Sequence, residues 1–158
     1  MSPSQKLATG FMLLAPLLLS FHLCRAQIDP NDLKGIRQCK KALLFQINPM
    51  PVEKGRQDST HRYILDYEVV RSSPMPDSLQ RKLLHALGNK NNYIDSNMRS
   101  CEFIPAYALR LGRKFETLIS TGNCPKIQVY NRKRKRRSGA DLILGSTIEQ
   151  ALISAAGK

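Results

Sequence analysis

Chemistry in this chain would have to come from four cysteines, three histidines, twelve carboxylates and one run of six consecutive cations. The run is Arg132, Lys133, Arg134, Lys135, Arg136 and Arg137. A dense block of like charge is a natural contact for a polyanion, such as an anionic glycan, a lipid surface or another polyanion. It gains Coulomb energy and releases the partner's counterions. No aromatic residue is interleaved with the run. Base stacking therefore has no platform here, and specific nucleic-acid recognition is not expected. The same block before Ser138 also has the form of a polybasic processing site, which would be cut after Arg137. The plain alternative is a solvated loop between two strands, over residues 131–139.

Cysteine and histidine offer a second chemistry. Cys39 with His61 would make a thiol-dependent hydrolase, because the members of such a pair need only meet in space. Lys40 and Lys41 would lower the thiol pKa if Cys39 were exposed. A structural thiol and a surface histidine is the preferred reading, so the chain is read as non-enzymatic. Asp66 and Glu68 fall on one face of an expected strand, about 7 Å apart at a rise of ~3.4 Å per residue. Exposed strand charges are the commoner meaning of that pattern. Neither His61 nor His85 stands in a metal-ligand spacing, and no phosphate loop, nucleophile elbow or calcium loop is present. No metal or cofactor is expected.

The N-terminus sets the compartment. Lys6 is followed by an apolar run from Phe11 to Leu23 and then by Cys24-Arg25-Ala26. This reads as a signal peptide over residues 1–26, with the mature chain starting at Gln27 and being secreted or periplasmic. The apolar run is shorter than the roughly 20 residues a membrane span needs. No transmembrane segment is expected in residues 27–158, which read as one domain. The mature part keeps 23 basic and 12 acidic residues, a net charge of +11, and more than half of it lies in the basic run. Three cysteines remain, Cys39, Cys101 and Cys124. In an oxidising compartment two should pair.

The elements that must position these residues follow from pattern. Residues 27–37 read as a mobile lead-in. Lys41 to Ile47 is a short buried strand, ended by Asn48-Pro49-Met50-Pro51. Arg62 to Val70 is the best strand, and the two pair as an antiparallel hairpin. A helix from Ser78 to Leu87 is capped by Asp77, has Gln80 at the capping-box position and stops at Gly88. Tyr93 is the expected anchor of the polar stretch from Asn89 to Ser100. Cys101 to Leu111 and Phe115 to Thr121 form a second hairpin around residues 112–114. With a two-residue turn, Cys101 faces Cys124. With a three-residue turn, Leu111 faces Phe115, Tyr107 faces Ile119, and the cysteines shift by one. The Cys101–Cys124 pair is the favoured bond. Lys126 to Tyr130 and Ala140 to Leu144 are further strands. Ser146-Thr147-Ile148-Glu149 opens a last helix with Ile148, Leu152 and Ala155 inward. The expected fold is α+β, in the order β-β-α-β-β-β-α, with a small mixed or antiparallel sheet and two packed helices.

Three segments, LLHALGNKNNY, CEFIPAYALRL and NCPKIQVY, span residues 83–130. They resemble a group of small secreted bacterial proteins with a C-x-F-x-P-x-x-A motif, a short hairpin and a second cysteine element. That resemblance implies a secreted bacterial origin and one α+β domain. It implies no activity, because the group has none assigned. Members often carry C-x-x-C in the second element, whereas this chain has Thr121 three residues before Cys124.

Overall fold

Asp29 turns the expected lead-in into a helix. Its Oδ1 accepts the Asn31 N–H at 2.8 Å, Pro30 occupies the first turn, and Leu33 and Ile36 give a buried face. The resulting helix α1, Pro30–Arg37, makes three α-helices among the described residues where two were expected. The structure is a computed structural model that describes residues 28–94 and 100–156. The expected signal segment, with Cys24, lies outside the described residues.

The chain continues through β1 (Ala42–Pro51), β2 (Tyr63–Ile64), β3 (Tyr67–Ser73), α2 (Asp77–Leu87) and β4 (Tyr93–Ile94). It then forms β5 (Tyr107–Leu111), β6 (Phe115–Ser120), β7 (Lys126–Asn131), β8 (Arg136–Leu142) and α3 (Thr147–Ala156). The fold is α+β. The sheet is larger than expected, with eight strands in the order β2-β3-β1-β5-β6-β7-β8-β4, and every pairing is antiparallel.

Several local expectations change, each for a physical reason. The Asn48–Pro51 stretch extends β1 instead of ending it. Its prolines fit because the β1–β3 register slips there, between Ile47↔Val69 and Pro51↔Tyr67. The strand expected from Arg62 to Val70 reverses at Leu65-Asp66 to form the β2–β3 hairpin. Leu65 takes a left-handed φ of 56° there, a position that glycine normally fills. A reversal inside a β-branched run leaves no mark on hydrophobic periodicity. Asp66 is therefore a turn residue and does not share a strand face with Glu68.

Helix α2 has Pro76, not Asp77, at its N-cap and no side-chain cap. Gln80 instead uses Oε1 to accept the Ala42 N–H at 2.6 Å, which ties α2 to the start of β1. Gly88 ends the helix as expected. It also lets α1 approach, because a Cβ there would sit 2.8 Å from Arg37 Cβ. Tyr93 packs on the core and donates its phenol to Leu87 O at 2.5 Å. Half of the expected capping box of α3 forms: Ser146 Oγ accepts the Glu149 N–H at 3.3 Å, whereas the Ser146 N–H donates to Ile143 O and not back to Glu149. The Glu149 carboxylate itself accepts two backbone N–H groups, from Gly145 and Gly122, at 2.9 Å each.

The β5–β6 turn has three residues, so Leu111 faces Phe115 and Tyr107 faces Ile119. Residues 101–106 are not a strand, and the cysteines need no ladder register. Cys101 and Cys124 form a disulfide with their Cα atoms 6.5 Å apart, within the range such bonds span.

Both faces of the sheet are covered, which is why all six residues of β6 are buried. The helices seal one face over Leu44, Leu109, Ile119 and Val129, with Leu83 and Leu152 from α2 and α3. On the other face a smaller core gathers Phe45, Ala108 and Leu118 with Ile64 of β2 and Phe103. The sheet curls strongly. Asp66, in the turn at one edge, meets Arg137 of β8, six strands away, at 3.7 Å.

Candidate functional site

The antiparallel order brings three connections to one end of the sheet. They are the start of β1 at Lys40-Lys41, the β5–β6 turn at Gly112-Arg113-Lys114, and the β7–β8 turn at residues 132–135. Two backbone hydrogen bonds chain them side by side. The Gly112 N–H donates to Lys41 O, and the Arg132 N–H donates to Lys114 O, each at 2.9 Å.

The basic run is a built hairpin and not a free loop over 131–139. Its first four residues are the turn, and Arg136 and Arg137 already belong to β8, paired with Asn131 and Tyr130. Asn131 organises the turn. Its Oδ1 accepts the N–H groups of Lys133 and Arg134 at 3.1 and 3.0 Å. Its Nδ2 donates to the buried Asp32 carboxylate at 2.7 Å. Lys135 closes the turn with a left-handed φ of 51°.

Half of the run is engaged with the protein's own carboxylates. Arg134 Nη1 lies 3.0 Å from Asp29 Oδ2 and 3.8 Å from Asp32, and Arg136 lies 3.6 Å from Asp29. Arg137 reaches Asp66. The Asn31 N–H, followed by Arg134 and Arg136, holds the Asp29 carboxyl below its ordinary value. Arg132, Lys133 and Lys135 are exposed and have no acidic partner among the described residues.

Four more cations stand beside them. Lys40, Lys41, Arg113 and Lys114 are all exposed and form no ion pair among the described residues. The basicity is therefore not confined to the run: seven cations with no ion pair among the described residues share one sheet end. Sequence reasoning missed this convergence. The doublets Lys40-Lys41 and Arg113-Lys114 were visible, and counting strand reversals would have put them beside residues 132–135.

The structure does not bring Cys39 and His61 together. Cys39 adjoins the basic end, half-buried, with its thiol directed at Gly35 O (3.5 Å) and Leu111 O (3.6 Å). Burial raises its pKa and outweighs the opposing pull of Lys114, so the neighbouring lysines do not activate it. His61 lies near the far end of β1, where its Nδ1 meets Glu68 Oε1 at 2.8 Å. About 17 Å of strand, five residues at ~3.3 Å each, separates Ala42 from Ile47, the β1 residue that faces Val69 next to Glu68. Among the described residues no cluster of three or more potential metal ligands occurs, and no helix is long and apolar enough to cross a membrane.

No family model, curated protein or solved structure matches this chain.

Arg137 also bears on the processing reading. It is laddered to Tyr130, and the residues after it supply Leu142, Ile148 and Leu152 to the main core. Cleavage after Arg137 in the folded chain would have to open β8.

Proposed function

We propose that the chain is a secreted, non-enzymatic binding module that docks a polyanion through the basic end of its sheet. The observation that carries this reading is the pair of backbone bonds, Lys41–Gly112 and Lys114–Arg132, which aligns three cationic connections. A polyanion meeting that end would face seven cations that no carboxylate of the described chain neutralises. Arg132, Lys133 and Lys135 are the residues of the basic run free to make the contact, whereas Arg134, Arg136 and Arg137 hold the hairpin in place. Secretion from a bacterial cell rests on the N-terminal sequence pattern and the family resemblance, and the Cys101–Cys124 disulfide supports an oxidising compartment.

The test is retention on a sulfated-polysaccharide column eluted with salt. The wild-type chain is expected to elute late. A variant with Arg132, Lys133 and Lys135 replaced by Gln should elute at clearly lower salt, because exposed charges act through a screened field. Equal elution of the two proteins would sink the proposal. The thiol-hydrolase alternative makes the opposite demand on the site: Cys39 should then label within seconds near neutral pH, whereas its burial predicts slow labelling.

A further inference from the structure

We infer that the partner is a linear anionic polysaccharide lying across the end of the sheet, perpendicular to the strands, and engaging all three cationic connections at once. This rests on the polyanion reading above and narrows it. The connections sit at the ends of β1, β5–β6 and β7–β8, five neighbouring strands. At a strand spacing of about 4.8 Å they span roughly 19 Å along the sheet contour. Their cations form a row: Lys40 and Lys41, then Arg113 and Lys114, then Arg132, Lys133 and Lys135. The row is fixed by the Lys41–Gly112 and Lys114–Arg132 backbone bonds, and the Asn131 cap fixes its last member. A chain bearing repeated charges loses little further entropy on reaching a second and third connection, since the first contact holds it nearby.

Other polyanions fit the row less well. Residues 40–41, 112–114 and 132–135 contain no aromatic side chain, so nucleotide bases would find nothing to stack on. They contain no apolar side chain to enter a bilayer, so a lipid surface would gain only screened charge contacts. A sulfated or carboxylated glycan needs neither.

The experiment measures binding of heparin-derived di-, tetra-, hexa- and octasaccharides to the full mature chain at fixed salt. Affinity is expected to rise more than tenfold between the disaccharide and the octasaccharide. That gain should collapse when the middle connection is neutralised by Arg113→Ser and Lys114→Ser. An Arg81→Gln and Lys82→Gln variant removes the same charge from an exposed face of α2 and should keep the gain. Circular dichroism of both variants would establish that each is folded. Four outcomes would overturn the inference but leave the polyanion reading standing. These are equal affinity per charge at all lengths, an equal loss in the α2 variant, tighter binding to phosphatidylglycerol vesicles than to the octasaccharide, and tighter binding to single-stranded oligonucleotides of matched charge. Failure of every one of these anions to bind, even at low salt, would overturn both.

Discussion

Asn131 and Asp32, 99 residues apart, meet through a 2.7 Å hydrogen bond between two buried side chains. The bond fastens the β7–β8 turn to the first turn of α1. The other end of the same amide holds the N–H groups of Lys133 and Arg134. One asparagine thus satisfies a buried carboxylate and shapes the cationic turn.

Asn131→Ala is therefore expected to destabilise the chain by about 2–3 kcal/mol, since it removes a hydrogen bond to a buried carboxylate and the acceptor of two turn N–H groups. Urea unfolding would measure it, and a loss below about 0.5 kcal/mol would show that water replaces the amide. The variant should also bind polyanions more weakly in conditions where it remains folded.

The approach of α1 to α2 depends on Gly88. Its φ is −83°, which alanine adopts freely, so Gly88→Ala tests space alone. The added methyl would meet Arg37 Cβ at 2.8 Å and Leu33 O at 3.1 Å. A cost of about 1–3 kcal/mol is expected from overpacking. Gly55→Ala, with nothing within 4 Å, should stay within about 0.5 kcal/mol of wild type.

The Cys101–Cys124 bond closes a loop with a sequence separation of 23. Replacing both cysteines by serine should cost about 3 kcal/mol through the freed unfolded chain. The urea midpoint with and without reductant checks this. An unchanged midpoint would mean that Glu149, which holds the Gly122 N–H in the same loop, secures it unaided.

Acid should loosen the basic hairpin. Asp29 titrates below its ordinary value of 3.8 in the folded state, because of the Asn31 N–H and then Arg134 and Arg136. A depressed folded pKa gives stability that is fully present above the unfolded value and is lost as pH falls through the folded one. As the pH falls from about 4 down through the lowered folded value, the wild type should lose more stability than Asp29→Asn. Parallel stability curves across that window would refute the electrostatic tie.

The apolar pattern of residues 78–87 placed α2, and Ser146 with Glu149 placed the start of α3. Both signals are local: one helical face and one N-cap serine. The three strands from Tyr107 to Asn131 were legible for the same reason. The Cys101–Cys124 bond is present, but not through the ladder register that suggested it, because the turn has three residues and residues 101–106 are not a strand. Helix α1 was missed because its stabilisers are spread, in a cap at Asp29 and a tertiary face on Leu33 and Ile36. The reversal at Leu65 was missed because the β2–β3 pairing and its core contacts impose a backbone that leucine disfavours.

The sequence by itself determined that the chain is basic, that its charge peaks at residues 132–137, and that its segments are α+β. Only the tertiary structure decided which cations are free. Asp29, Asp32 and Asp66 neutralise Arg134, Arg136 and Arg137 across large sequence distances, while Lys40, Lys41, Arg113 and Lys114 join the run at one sheet end. Charge is a property of residues. A charged surface is set by strand order and by which side chains the folded chain pairs with itself.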